Sequence, residues 1–186
     1  MTALVALWLP ILVAAVLVFV ASSLIHMFTP WHVNDFAKLP HEDKVMDALR
    51  GFSIAPGDYL VPGFASQREM ASPEFAEKTK RGPVMKMTVL PSGETSMARS
   101  LVLWFIYCLV VGLLAAYITG QALPMGAASK RVFQFAGATA FIGYAAALWQ
   151  ATIWYNRAWT ATLRSTIDGL LYAIITAVVF VWLWPG

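Results

Sequence analysis

The stretch from residue 3 to residue 28 limits the possible folds more than any other part of the chain. It contains no Asp, Glu, Lys or Arg, and about 20 consecutive apolar residues are enough to cross a bilayer as a helix. A helix with no polar face has no side to present to water. Three further windows read the same way, at roughly 101–118, 132–154 and 163–184. The pattern predicts an all-α membrane protein with four transmembrane helices and both termini on one side. Composition agrees: 12% of residues are charged, against about 25% in ordinary soluble domains. Pro10, early in the first window, is expected to kink that helix or mark a short lead-in turn. The window has no positively charged leader and outlasts the apolar core of about 7–15 residues of a secretory signal. It is therefore read as a retained span.

Residues 29–100 form a loop too long for a turn and too polar to span. It is expected to carry short helices and strands of its own. Pro40 to Arg50, closed by Gly51, has the acids-first, base-last order of a short helix, with Val45, Met46 and Leu49 on one stripe. Ser72-Pro73 opens a second, closing at Arg81-Gly82. Tyr59 to Val61 and Val84 to Leu90 are strand candidates between turn residues. Small residues at Ala136, Ala140, Gly143, Ala147 and Ala151 on the third span allow close helix packing. The single cysteine, Cys108, excludes an internal disulfide and is expected to be a buried, inert thiol.

Charge excludes one class of partner. The net charge of +3 is mild and no basic run is present, so nucleic acid is not expected. The expected partners are the lipid bilayer and other membrane subunits or a second copy of the chain. Lys38, Lys86, Arg99, Arg157 and Arg164 lie on the long-loop side, against Lys130 and Arg131 on the terminal side. The positive-inside rule then favours a cytoplasmic loop and periplasmic termini.

Topology gathers the polar residues of the spans at one membrane face. Four spans bring the end of helix one, the start of helix two, the end of helix three and the start of helix four to the long-loop side. Ser22, Ser23 and His26 thus share a depth with Trp104, Tyr107, Gln150, Thr152, Arg164, Ser165 and Asp168. Arg164, Asp168, Tyr172 and Thr176 recur every four residues and make one stripe, expected to face the bundle interior. The candidate polar cluster is His26, His32, Asp35, Gln150, Arg164 and Asp168. Imidazole and carboxylate together suit zinc, iron or manganese, which makes His26, His32, Asp35 and His41 candidate metal ligands. No compact ligand spacing supports them, and His32-x-x-Asp35 and His41-Glu42 are weak patterns. Met85 and Met87 read as one strand face before they read as copper ligands. Phosphate loops, dinucleotide fingerprints, nucleophile elbows and haem-attachment motifs are absent.

The segment Trp31-His32-x-x-Asp35-Phe36-x-x-Leu39-Pro40-x-Glu42-Asp43 is followed by Pro56-Gly57-Asp58-Tyr59 and by Ser165-Thr166-Ile167-Asp168-Gly169-Leu170. Together they resemble a group of small, uncharacterised bacterial multi-pass membrane proteins. The resemblance implies a bacterial cytoplasmic membrane and carries no activity. Three readings of function follow. The absence of catalytic motifs favours a non-catalytic accessory or structural subunit of a membrane complex, with no cofactor. The alternatives are a small transport or channel component using the Arg164–Asp168 stripe, and a metalloprotein with a divalent ion at the end of helix one.

Overall fold

The computed structural model describes Thr2, residues 4–93 and residues 96–186; position 3, where the first predicted span begins, lies outside the described residues. In chain order the elements are α1 (Trp8–Phe28), α2 (Glu42–Arg50), β1 (Gly57–Val61), α3 (Gln67–Met70), α4 (Pro73–Arg81), β2 (Met85–Val89), α5 (Met97–Ala122), α6 (Ser129–Phe141), α7 (Leu148–Tyr155) and α8 (Trp159–Trp182). The chain divides into two compact units, one of Met1–Ala37 with Ser96–Gly186 and the other of Lys38–Thr95.

The first unit holds the four apolar spans, Leu4–Phe28, Met97–Ala122, Ser129–Tyr155 and Trp159–Trp182. This is a multi-pass, all-α membrane fold. Pro10 breaks nothing. A 3-10 turn over Leu4–Leu7 precedes α1, so Pro10 falls in the first turn, where amides have no intrahelical partner to lose. Helices α5 and α8 begin about four residues before the windows read from hydropathy. Apolarity marks the bilayer core, whereas backbone hydrogen bonding carries a helix on into the interface. Helix α1 packs against α5 and α8, and α6 packs against the same two, so the four spans close into a ring.

Small residues set how closely these helices approach. A Cβ on Gly137 would lie 3.1 Å from that of Ala177, and one on Gly169 only 2.8 Å from that of Ala145. Ala136 and Ala140, two of the small residues on the third span, are buried in the core. One core cluster is built on Leu7, Val132 and Phe180. The other is built on Val18, Cys108, Tyr144 and Tyr172, which places the lone cysteine in packing as expected. Large apolar side chains such as Leu17, Leu24, Leu113, Leu170 and Val178 are exposed on the outside of the ring, where the acyl chains of a bilayer would cover them.

The third span is not one continuous α-helix. Between α6 and α7 the backbone makes a π turn over Ile142–Ala146. Such bulges lift a carbonyl out of the i to i−4 ladder, and here the Gly143 carbonyl accepts a hydrogen bond from the Tyr107 hydroxyl at 2.5 Å. A side chain at position 143 would press on Val111, since a Cβ there would lie 3.0 Å from its γ-carbon.

The second unit pairs β1 with β2 antiparallel, with Tyr59 opposite Met87. Helix α2 ends at Gly51 as the charge order predicts, but it begins at Glu42 and not at Pro40, because His41 before it takes a left-handed conformation. Helix α4 starts at Pro73, with the Ser72 hydroxyl accepting from the Phe75 amide at 3.1 Å. Phe64 and Phe75 meet edge to face with centroids 5.6 Å apart. Short α3, capped by Ser66, is an element that the sequence reading passed over.

Candidate functional site

The site forms where α1 runs out. Thr29 leaves the helix in an extended conformation, and Pro30 starts a 3-10 turn over Pro30–His32. The Thr29 hydroxyl fixes the junction by accepting from the Trp31 amide at 3.4 Å. This turn lays Trp31 and His32 against α8, where Asp168 is buried with 5% of its surface exposed. Asp168 accepts at both oxygens. Trp31 Nε1 donates to Oδ1 at 3.0 Å, and His32 Nε2 lies 2.7 Å from Oδ2.

The chain of polar contacts continues outward. His32 Nδ1 lies 2.7 Å from Asp35 Oδ2, and Arg164 donates to Asp35 Oδ1 at 2.7 Å. Arg164 and Asp168, one turn apart on α8, therefore each bind the segment after α1. Tyr172 and Thr176 complete the stripe and are buried, as a polar stripe on a spanning helix should be.

Proton counting limits the states of this chain. Ionised carboxylates only accept, and a neutral imidazole has one N–H. Two hydrogen bonds from the two His32 nitrogens to two carboxylates therefore need two protons. Either the imidazole is protonated between two carboxylates, or one carboxyl keeps its proton. In both cases the cluster of Arg164, Asp35, His32 and Asp168 sums to zero charge, which suits a nearly dry location.

Asp35 lies outside the spans. Burial pushes its carboxyl up, but the His32 hydrogen bond and the Arg164 guanidinium outweigh burial and hold it below its ordinary 3.8. A depressed folded value means that this stabilisation is complete above the unfolded value and lost as pH falls through the folded one. Between pH 5 and 3 the wild-type melting temperature should therefore fall more steeply than that of Asp35→Asn, which starts lower at pH 6. Parallel pH profiles would remove Asp35 from the acid limb.

His26 stands over this chain. Its ring is stacked on that of His32, with centroids 4.4 Å apart and planes 10° from parallel. Its Nδ1 is 2.9 Å from the Ser22 carbonyl. His26, His32 and Asp168 each offer a ligand atom, and these three atoms lie within 4.8 Å of one another. Ser22 is itself held, accepting from Trp104 Nε1 at 2.7 Å. Two cavities border Asp168. One of about 680 Å³ also touches His26, Trp104, Tyr107, Tyr144 and Tyr172, and one of about 540 Å³ touches Trp31, Asn34 and Arg164.

Five of the six residues in the predicted polar cluster thus come together: His26, His32, Asp35, Arg164 and Asp168. Gln150 is exposed on α7, and none of the site's hydrogen bonds among the described residues involves it. In the predicted metal set, Asp35 sits behind His32 on Nδ1, and the carboxylate beside the two histidines is Asp168. His41 belongs to the second unit, ahead of α2, whereas the cluster is built wholly within the first. Trp31 and Tyr144 were missed. Trp31 follows the helix-ending Thr29-Pro30 pair, a signal that could have placed it at the junction. Tyr144 depends on the π turn, which nothing in the local sequence announces. No protein-family model, no curated protein and no solved structure matches this chain, so any functional reading rests on the geometry above.

Proposed function

We propose that this chain is a membrane metalloprotein whose centre is His26, His32 and Asp168, taking a divalent ion of the zinc, iron(II) or manganese group. One observation carries the reading. Both histidines engage Nδ1 with a protein acceptor, the Ser22 carbonyl for His26 and the Asp35 carboxylate for His32. This leaves Nε2 of each as the coordinating atom beside Asp168. Metal-binding histidines almost always donate their other ring N–H in this way, which fixes the tautomer and raises the basicity of the ligand. Two imidazoles and one carboxylate suit these ions and leave positions open for water or substrate.

The arrangement of these side chains also indicates how an ion would enter. Ligand atoms around a tetrahedral ion with bonds of about 2.0 Å stand about 3.3 Å apart. The present spread of up to 4.8 Å must contract, and the short His32–Asp168 contact must open. The two near-parallel rings cannot both point at one ion. His26, exposed at the end of α1, is the ring that must shift, pivoting on its Nδ1 contact with the Ser22 carbonyl. The ion takes the place of the proton shared by His32 and Asp168, so uptake releases that proton and binding weakens as pH falls.

The test is elemental analysis of protein purified in mild detergent without a histidine tag. Near one zinc, iron or manganese per chain is expected, with His26→Ala and His32→Ala each losing it. Asp35→Ala should weaken binding about 10- to 100-fold, as removal of a partner behind a ligand does. A well-folded wild-type protein that neither retains metal nor binds added Zn²⁺, Fe²⁺ or Mn²⁺ would overturn the reading.

A second reading, an accessory subunit of a membrane complex, draws on the other unit. None of the described residues between 38 and 93 is buried, and Phe52, Phe64 and Leu90 are all exposed there. A bacterial cytoplasmic membrane with the long loop inside and both termini in the periplasm fits either reading. The orientation draws on the excess of Lys and Arg on the loop side, and the bacterial membrane only on the resemblance of the sequence.

A further inference from the structure

We infer that α2, Glu42–Arg50, is an interfacial helix that lies flat on the bilayer at the long-loop side, with Met46, Leu49 and Phe52 among the lipid chains. The contact is apolar and takes zwitterionic lipid as readily as anionic lipid. This goes beyond the metal centre and does not depend on it.

The sequence of α2 makes two faces. Val45, Met46 and Leu49 share one, and Asp43, Lys44 and Asp47 make up the other. Glu42 alone breaks the apolar side, at its first position, where it pairs with Lys38 at 3.6 Å. The turn continues to Phe52, whose amide donates to the Leu49 carbonyl at 3.1 Å, so Phe52 extends the apolar face. Nothing in the unit covers that face. Strand β1 pairs with β2 and α3 packs against α4, whereas α2 takes part in neither pairing. Met46, Leu49 and Phe52 are 49%, 41% and 74% exposed. At nine residues, α2 is also shorter than the roughly 12–15 at which an isolated helix begins to hold in water. An apolar surface against the stripe supplies what the length does not.

The chain itself selects the bilayer as the occupant. Asp35 is tied to Arg164 near the start of the spanning helix α8, and Glu42 follows seven positions later. Seven residues reach at most about 25 Å, so α2 starts within that distance of the bilayer edge. Phe36, next to Asp35, is already 89% exposed there. A tether this short makes docking intramolecular, at an effective concentration on the order of millimolar. A second copy or another subunit has no such tether. Charge excludes attachment through headgroups alone. The helix sets Glu42, Asp43 and Asp47 against Lys44 and Arg50, whereas anionic lipid attracts polybasic segments.

The experiment uses the full-length protein in nanodiscs of phosphatidylcholine. A nitroxide is attached in Leu49→Cys and, separately, in Asp47→Cys, both carrying Cys108→Ala to remove the only native cysteine. Electron spin resonance compares collisions with oxygen, which concentrates in lipid, and with water-soluble chromium oxalate. The label at position 49 is expected to favour oxygen and the label at position 47 chromium oxalate, with no change on adding phosphatidylglycerol or salt. Chromium oxalate access at both positions overturns the inference, since α2 then lies in water. So does shielding of position 49 from both reagents, which marks a protein partner or a second copy, and so does a need for phosphatidylglycerol. In an otherwise unaltered chain, Leu49→Glu should speed trypsin cleavage after Lys44 about tenfold, the effect of losing one buried leucine contact. A rate equal to that of wild type also overturns the inference. Neither readout depends on the metal centre, so its failure and failure here are read separately.

Discussion

Asp168→Ala is expected to destabilise the protein by about 3–5 kcal/mol, the usual result of removing one partner from a buried charged pair. The size follows from what is left behind. Trp31 loses the acceptor for Nε1 and His32 loses the acceptor at Nε2. The remaining trio of Arg164, His32 and Asp35 stays neutral and keeps both Asp35 hydrogen bonds only with the single His32 proton on Nδ1, which leaves Nε2 without a partner in a nearly dry place. The segment after α1 is held to α8 through these contacts and the Arg164–Asp35 pair, so the loss should appear first as increased proteolysis near residues 29–37. Asp168→Asn keeps an acceptor for Trp31 or His32 and should cost about 1–2 kcal/mol, on the scale of one buried hydrogen bond. Thermal or denaturant unfolding of both variants in one detergent is the measurement. If Asp168→Ala unfolds within 1 kcal/mol of wild type, on the order of the effect of a surface change, the cluster is not what anchors this segment.

Gly169→Val is expected to cost about 3 kcal/mol, at the upper end for overpacking a close helix contact. A Cβ at this position would lie 2.8 Å from the Cβ of Ala145 and 3.3 Å from the carbonyl carbon of Tyr144. The Tyr144 carbon is backbone and cannot rotate aside, so α8 must move away from the π turn. That movement acts on the site as well as on stability. Asp168 is the residue before Gly169, and Tyr172 follows one turn later. Metal binding should therefore weaken in this variant. Ala145→Gly removes the nearest obstructing atom and should recover part of the loss when combined with Gly169→Val, a coupling that a double-mutant cycle isolates. Additive effects would show that the crowding lies elsewhere.

The apolar pattern alone fixes the four spans, because a bilayer leaves a helix without a polar face almost no other fate. It also determined which ends of those spans share a depth. With the termini together, alternation of direction places His26 beside Asp168 in level, whatever the packing. Local chemistry set the loop elements: Ser72-Pro73 opens α4, and Gly51 closes α2. The pairing within the cluster came from packing in three dimensions. Arg164 and Asp168 are neighbours along α8, yet Arg164 reaches Asp35 and Asp168 reaches Trp31 and His32. The 3-10 turn after Thr29 brings the following segment within hydrogen-bond distance of both, and side chains four apart in sequence meet only if nothing better is near. The π turn over Ile142–Ala146 is likewise a matter of packing. Gly143 and Gly169 let α5 and α8 press close to the third span, and the extra residue in that turn exposes a carbonyl to Tyr107 and places Tyr144 at the cavity. Hydropathy records how far a residue lies from water. It does not record which neighbour a buried polar atom meets, and this site is made of those meetings.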